Sequence, residues 1–301
     1  MVCWSGRDSR AREMKFVSFR AHGRETFGVV REDRVVELGA GGAMPARSLN
    51  ELLALDDFAE MVRRVWHGLP EHGLDAIDYL PPIPRPGKIL CVGVNYAERH
   101  EEYGDKTPPP AYPSIFMRTA SSFVGHRAPL LRPHESAEFD YEGEVALVVG
   151  RGGRRLTEST ALEAIAGITC ANDGTLRDWV RHGKFNVTPG KNFERSGSLG
   201  PWLCTLDEAG PLDGLTVTTV VNGDQRQHDT TAHLIFQVPK LLAYISSFTT
   251  LETGDVILTG TPPGAGARRT PPVYLLPGDR VEVTVSGVGT LSNGVEDEPR
   301  P

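Results

Sequence analysis

The sequence predicts a mixed β fold of the α+β class, in which a small α+β domain precedes a large β-rich domain with peripheral helices. Short runs of β-branched and aromatic residues recur along the 301 residues, separated by turn-forming stretches that draw on 33 Gly and 23 Pro. Helical periodicity preceded by a capping pattern is confined to a few segments. The chain is therefore expected to be ordered, rich in turns and mostly sheet.

The small domain is predicted to span residues 1–80. Residues 1–13 are polar and rich in Arg, which indicates a flexible leader, and residues 15–36 hold three short β-rich runs that predict a small sheet. A capping box at 48–51 begins a predicted amphipathic helix over residues 49–66. Four prolines between Leu80 and Gly87 cannot sustain a helix or a central strand, so the boundary is placed there.

The large domain is predicted to span residues 81–301. Capping and periodicity favour one helix after a capping box at Thr160 and another over His233 to Phe248, with a kink near Pro239. Apolar or alternating runs favour strands at 88–94, 144–149, 216–221, 256–259 and 280–285. This pattern indicates a mixed sheet with helices at its periphery.

Composition excludes several classes of function. The 39 acidic residues exceed the 32 basic ones, giving a net charge of −7, and the basic residues are scattered, so nucleic acid is not an expected partner. No stretch approaches the roughly eighteen apolar residues of a membrane span. Four cysteines, Cys3, Cys91, Cys170 and Cys204, lack metal-binding or redox spacing. We expect them to be packing residues of a cytoplasmic protein without a membrane partner.

Two glutamates at the start of an apolar run indicate a metal site. Glu142 and Glu144 stand at i and i+2, and a strand sends side chains at that spacing to the same face. Two converging carboxylates favour a hard divalent cation, Mg²⁺, Mn²⁺ or Ca²⁺. Asp173, predicted to follow an apolar helix, would complete the site. For an isolated pair of this kind, the alternative is a solvated strand face.

Nucleotide and phosphoryl chemistry are not supported. A dinucleotide-binding fingerprint after Gly150 would need Gly at 155, where Arg155 stands. A phosphate-binding loop ending at Lys191 would need Gly at 185, where Phe185 stands. The acidic site is therefore not explained by a bound nucleotide.

Several segments, taken together and in order, resemble the fumarylacetoacetate hydrolase family. The resemblance runs from about Lys88 to Val295. Its segments are KILCVGVNY (88–96), DYEGE (140–144), NDGTLRD (172–178), GKNF (190–193), LETGDVILTGTPPGAG (251–266) and GDRVEVTVSGVGTLSN (278–293).

The resemblance implies a β-roll catalytic domain, usually a homodimer, that binds Mg²⁺ or Mn²⁺ through two glutamates and an aspartate. Matched residue by residue, these ligands are Glu142, Glu144 and Asp173. The family acts on 2-oxo acids and 1,3-dicarbonyl compounds by hydrolysis, decarboxylation or isomerisation. A cation chelated by the substrate oxygens would stabilise an enolate.

Four further residues are expected at this site. Lys191, in the GKNF segment, would stabilise the enolate or the substrate carboxylate. Thr261 and Gly260, in the TGTPPGAG turn, would bind the substrate through the hydroxyl and backbone N–H groups. Arg118 is the third expected substrate-binding residue.

The acid/base pair is expected at His100 and Glu102. Hydrolytic members carry a His and a Glu three residues later, but ungapped matching places Arg99 at the His position and Glu102 at the Glu position. On a helix, a one-residue shift turns a side chain by about 100°, which puts hydrolysis in question.

Three functions therefore remain open from the sequence. The first is metal-dependent hydrolysis of a C–C bond in an acylpyruvate-like or fumarylacetoacetate-like substrate. The second is isomerisation or decarboxylation of a muconate-type oxo-diacid, such as 5-carboxymethyl-2-hydroxymuconate or 2-hydroxyhepta-2,4-dienedioate, at the same metal site. The third is a non-catalytic protein that binds a metabolite.

Overall fold

A computed structural model describes residues 14–102, 110–184 and 186–300, without the side chains of residues 99–101. The predicted leader at 1–13 lies outside the described residues. The strands are β1 (Lys15–Ala21), β2 (Arg24–Arg31), β3 (Arg34–Glu37), β4 (Glu71–Gly73), β5 (Asp78–Tyr79), β6 (Ile89–Val92), β7 (Ile115–Arg118), β8 (Phe123–Val124), β9 (Leu130–Arg132), β10 (Phe139–Asp140), β11 (Gly143–Val149), β12 (Ile165–Asn172), β13 (Thr175–Leu176), β14 (Gly197–Thr205), β15 (Thr216–Val221), β16 (Asp224–Thr230), β17 (Val256–Leu258), β18 (Arg280–Val285) and β19 (Gly289–Asp297). The helices are α1 (Leu49–Leu53), α2 (Phe58–Val65), α3 (Ala97–Glu102), α4 (Thr188–Lys191), α5 (Leu206–Ala209) and α6 (Val238–Phe248).

Within the described residues, twelve strands form one large sheet. Its main path runs β4-β3-β2-β1-β14-β12-β11-β17-β6-β7, and β5 and β8 pair with β1 and β14. Five further strands form a second sheet in the order β16-β15-β18-β19-β9. The mostly-sheet α+β architecture predicted from the sequence is confirmed.

The N-terminal strands are continuous with the large sheet. Lys15 and Phe16 of β1 pair antiparallel with Cys204 and Leu203 of β14. Phe16 is fully buried in a cluster that also contains Leu203 and Leu258. A division of the chain at residue 80 stays a prediction, since the two parts share both hydrogen bonds and core.

The helix predicted over residues 49–66 is wrong as a single element. The Ser48 side chain accepts the Glu51 N–H as the capping box requires, but α1 ends at Leu53. The chain then turns through Asp57, whose φ of 54° lies in the left-handed region, before α2 begins at Phe58. A left-handed residue interrupts the helical hydrogen-bond ladder, so one amphipathic pattern becomes two short helices.

The helix predicted after the Thr160 capping box is also wrong. Ala161–Ala164 form one 3₁₀ turn, and the chain continues as strand β12. This strand pairs antiparallel with β11 on one side and β14 on the other, and both of its faces are covered by core residues. Strand pairing and burial on both faces outweigh the local capping signal. Asp173 therefore follows a strand, not a helix.

The predicted helix over 233–248 begins later than expected. Thr231–His233 form a separate 3₁₀ turn, and α6 starts at Val238 with Pro239 in its first turn. A proline in the first turn costs no helical hydrogen bond, because the first N–H groups of a helix have no partner within it. The kink expected at Pro239 is therefore a helix start.

Cys91, Cys170 and Cys204 are buried and unpaired, as packing residues are expected to be, and Cys3 lies outside the described residues. Among the described helices, none is long and apolar enough to cross a membrane.

Candidate active site

Three acidic side chains converge where β11 begins and β12 ends. Gly143, between Glu142 and Glu144, pairs with Asn172, so Asp173 follows directly beside the two glutamates. One carboxylate oxygen from each of Glu142, Glu144 and Asp173 lies within 4.8 Å of the others. All three residues are buried, with exposed fractions of 6%, 1% and 1%. The two glutamates thus converge as their spacing predicts, and their role as metal ligands stays a prediction.

Strand β17 delivers a backbone donor to this cluster. Ala146 of β11 pairs with Leu258 of β17, and that antiparallel register brings Gly260 alongside Glu144. The Gly260 N–H donates to Glu144 Oε2 at 2.7 Å. A neighbouring loop supports Gly260, because Asn95 Nδ2 donates to the Thr259 carbonyl at 2.7 Å.

Three cationic side chains surround the carboxylates. Lys191 Nζ lies 2.6 Å from Glu142 Oε2 and 2.5 Å from Asp173 Oδ2. Arg118 binds Asp173 Oδ1 at 2.6 Å, and Arg177 binds Glu142 Oε1 at 2.7 Å. Each carboxylate is held in one orientation by a fixed donor.

The electrostatics of the site depend on its burial. Burial first, and then the nearby charges of Asp173 and Glu142, raise the pKa of Glu144 well above its ordinary value of 4.5. Burial acts to lower the pKa of Lys191, but the same two acids raise it above 10.5, so its ammonium stays charged. Burial and two neighbouring acids thus raise the free energy of ionising Glu144.

The residues fit a divalent cation. The donors are hard carboxylate oxygens, the type that Mg²⁺ and Mn²⁺ prefer, and a lysine ammonium already bridges two of the three residues. Glu142, Glu144 and Asp173 are the residues that would hold the ion.

The substrate-binding role expected of Arg118 stays a prediction, and its side chain binds other groups of the protein. Its guanidinium is fully buried, and all five of its N–H donors have partners within the protein. These partners are Asp173 Oδ1, the Gly174 carbonyl, the Ser122 carbonyl and hydroxyl, and the Ser196 hydroxyl. Through the first of these bonds, Arg118 orients the Asp173 carboxylate.

The 260–267 loop lies against the site but uses its polar groups internally. The Thr261 hydroxyl donates to the Gly143 carbonyl at 2.9 Å and accepts from Gln227 Nε2 at 2.9 Å. The Gly260 N–H is bound to Glu144. Contacts of Thr261 and Gly260 with a substrate therefore stay predictions, while their observed contacts fix the loop and one of the predicted ligands.

The predicted acid/base segment forms a helix beside this loop. Both His100 and Glu102 lie in α3, Ala97–Glu102. Glu102 Oε1 accepts the Gly264 N–H at 3.0 Å. The side chains of Arg99 and His100 lie outside the described residues, so which of them faces the site stays open.

Sequence reasoning missed two residues of the site network, Asp140 and Arg177. Both stand inside the DYEGE and NDGTLRD segments that carried the family resemblance. Asp140 Oδ2 lies 2.7 Å from Arg177 Nε, and neither residue is exposed by more than 8%. The available signal was a charged residue inside each matching segment. Asp140 stands two residues before Glu142, and Arg177 stands four residues after Asp173.

A buried carboxylate cluster held by counter-charges marks this region as the candidate active site. The family model for fumarylacetoacetate (FAA) hydrolase C-terminal matches residues 88–296. The chain belongs to the fumarylacetoacetate hydrolase family of enzymes, as the sequence segments indicated.

Known relatives and solved structures agree on this family. A mitochondrial oxaloacetate tautomerase of Xenopus laevis is 36% identical over 296 residues, covering 95% of this chain and 92% of the relative. A fumarylacetoacetate hydrolase structure from psychrophilic Exiguobacterium antarcticum has a TM-score of 0.81 and 32% identity, covering 95% of this chain and all of that one. A maleylpyruvate hydrolase of Sphingobium, solved with manganese(II) and pyruvate, has a TM-score of 0.78 and 26% identity, with coverages of 95% and 100%.

Proposed function

We propose that the protein is a divalent-metal-dependent tautomerase that interconverts the keto and enol forms of oxaloacetate or a similar 2-oxo diacid. The observation that carries this proposal is that Glu102 and Glu144, a member of the buried carboxylate cluster, accept N–H groups of the same loop, from Gly264 and Gly260. The tautomerase relative supports the same reaction. This relative therefore favours tautomerisation over the hydrolysis that the sequence favoured.

The reaction needs only a proton to move between carbon and oxygen. Bound Mg²⁺ or Mn²⁺ would supply the Lewis acidity that stabilises the negative charge developing on the 2-oxo oxygen. Glu102 would remove the proton from the carbon next to the 2-oxo group and deliver it to the 2-oxo oxygen, and would carry it the opposite way in the reverse direction, as a general base and acid. The Lys191 ammonium, 2.6 Å from Glu142, adds fixed positive charge to the site. No activated water is required.

Hydrolysis of a C–C bond in an acylpyruvate-like substrate is the second candidate. It is favoured by the presence of His100 in the same helix as Glu102, since a His and a Glu together could activate water. The maleylpyruvate hydrolase neighbour supports this reaction class.

The discriminating experiment supplies enol oxaloacetate, acetylpyruvate and a muconate-type diacid, each with Mg²⁺, Mn²⁺ or EDTA, and identifies the products. We expect metal-dependent loss of the enol absorbance of oxaloacetate at unchanged mass. Acetate and pyruvate formed from acetylpyruvate would establish a hydrolase instead. CO₂ released from the muconate-type diacid would identify a decarboxylase, and binding without turnover would indicate a metabolite-binding protein.

Matched variants connect the activity to the site. Glu144→Gln should abolish Mn²⁺ binding and turnover, and Glu102→Gln should abolish turnover while Mn²⁺ still binds. Glu163→Gln, at an exposed residue of a 3₁₀ turn, is the surface control and should behave as wild type. Turnover by Glu144→Gln in EDTA at the wild-type rate would overturn the metal assignment.

The homodimer implied by the family resemblance is also proposed. Tyr112 and Phe248 are 70% and 52% exposed, and their rings contact that of Tyr244 with centroid distances of 6.0 and 5.8 Å. Exposed aromatic clusters of this kind often lie at interfaces. Light scattering should give twice the chain mass of 32.8 kDa.

A further inference from the structure

We propose that Asp140 is a positioning residue that links the metal ligand Glu142 to the loop against which Glu102 rests. Asp140 is fully buried at the end of the short strand β10, two residues before Glu142. It touches none of the reacting atoms assigned above. This inference rests on the proposed metal site and assigns a function to a residue that is linked to that site through Arg177.

The first half of the link runs through Arg177. Its Nε lies 2.7 Å from Asp140 Oδ2, and its second guanidinium nitrogen lies 2.7 Å from Glu142 Oε1. One planar guanidinium thus bridges the two acids, and its orientation is set by both. Loss of the Asp140 charge would remove one of the two carboxylates that orient Arg177 and so change how Glu142 presents its oxygens.

The second half runs through backbone N–H groups of the 260–267 loop. Asp140 accepts from Gly266 N at 2.8 Å through Oδ1 and from Ala267 N at 3.0 Å through Oδ2. A Cβ at Gly266 would lie 2.7 Å from Asp140 Oδ1 and 1.9 Å from the Val273 carbonyl oxygen, so this approach requires glycine. Two residues earlier, Gly264 N–H donates to Glu102. Asp140 therefore holds in place the part of the loop that is hydrogen-bonded to Glu102 of α3.

Asp255 provides a matched control elsewhere in the fold. It is also fully buried, accepts the N–H groups of Lys88 and Glu252, and lies 2.8 Å from Lys88 Nζ. Both aspartates are thus buried, both accept hydrogen bonds from backbone N–H groups, and each pairs with a cationic side chain of its own. Asp140 alone of the two is bridged to a carboxylate of the metal cluster.

The test compares Asp140→Asn with Asp255→Asn by Mn²⁺ titration, with free Mn²⁺ followed by electron paramagnetic resonance. Both variants should lower the unfolding temperature. Asp140→Asn should raise the Mn²⁺ dissociation constant about tenfold or more, as loss of residues that orient metal ligands does, and should lower kcat at saturating Mn²⁺. Asp255→Asn should leave both quantities unchanged.

A double-mutant cycle tests whether Asp140 acts through Arg177. The effects of Asp140→Asn and Arg177→Gln on the free energy of Mn²⁺ binding should be less than additive, because the half of the link that runs through Arg177 is already broken in Arg177→Gln. If Asp140→Asn does not fold, Asp140→Glu replaces it in every comparison. Its added methylene displaces the carboxylate from Arg177 and from the Gly266 and Ala267 N–H groups, so it should weaken Mn²⁺ binding in the same direction.

The outcomes separate this inference from the proposed function. Wild-type protein that binds no Mn²⁺ overturns the metal site itself. Wild-type protein that binds Mn²⁺, with an Asp140 variant that binds it equally well and keeps its kcat, overturns the inference alone. Fully additive effects in the cycle also contradict it.

Discussion

Gly260 donates its backbone N–H to Glu144 Oε2 at 2.7 Å from a conformation that favours glycine. Its φ is +103°, and a Cβ there would lie 2.7 Å from the Cβ of Asn95. The orientation of one predicted metal ligand therefore depends on a glycine 116 residues away in the chain.

Gly260→Ala is expected to weaken metal binding. The positive φ and the contact with Asn95 should cost about 1–3 kcal/mol of stability and move the N–H away from Glu144. Calorimetric titration should show a Mn²⁺ dissociation constant raised about tenfold. Gly278→Ala is the control, because its φ is +94° with no atom within 4 Å of the added Cβ. It should lose stability but keep its Mn²⁺ affinity.

Arg118→Met should destabilise the protein more in EDTA than in Mn²⁺. Removing Arg118 takes away one of the two cations bound to Asp173 and leaves Lys191 as the other, so the loss should be at most about 3–5 kcal/mol. Bound Mn²⁺ would restore positive charge beside Asp173, so urea unfolding with Mn²⁺ should show a smaller loss. Arg132→Met breaks a partly exposed pair with Asp297 and should cost about 1 kcal/mol or less. An equal loss for Arg118→Met in both conditions would contradict a cation at Asp173.

Metal binding is expected to release a proton and to tighten as the pH rises. Burial and two neighbouring acids raise the pKa of Glu144 above its ordinary value of 4.5. Its carboxyl therefore stays protonated at pH values above 4.5 until a cation displaces the proton. Calorimetry in buffers of different ionisation enthalpy should detect this release at pH values above 4.5. Glu144→Asp retains a buried acid moved by one methylene and should keep the pH dependence. A pH-independent affinity in wild type would exclude this linkage.

His126 should make the fold sensitive to acid. Burial lowers the pKa of His126 from 6.5 to about 4. Its Nδ1 accepts the Ser292 N–H at 3.0 Å. Because the unfolded chain binds the proton first, stability is intact above 6.5 and falls as the pH drops toward 4. The loss should reach about 1–2 kcal/mol after allowance for partial exposure.

The variant His126→Asn isolates that contribution. Its side-chain oxygen can still accept the Ser292 N–H, but the group does not titrate. Urea unfolding at several pH values should show wild type losing more stability than the variant between 6.5 and 4. Parallel profiles would exclude His126 as the cause.

Local patterns predicted some elements well and others poorly. The alternating run 280–285 is strand β18 as expected, because alternation places its apolar side chains on one face whatever its neighbours are. The capping box at Thr160 predicted a helix and was wrong, because pairing of Ile165–Asn172 with strands on both sides determines that segment. Cross-strand pairing involves distant residues and leaves no local signal.

The sequence by itself determined the pairing of Glu142 with Glu144 and the family, because strand periodicity and ordered motifs are local properties of the chain. Only the tertiary structure decided what holds each carboxylate. Arg118 reaches Asp173 across 55 residues, and Asp140 reaches Gly266 across 126. Such contacts depend on the register and stacking of strands, which arise from packing of the whole core and are not encoded in any single segment.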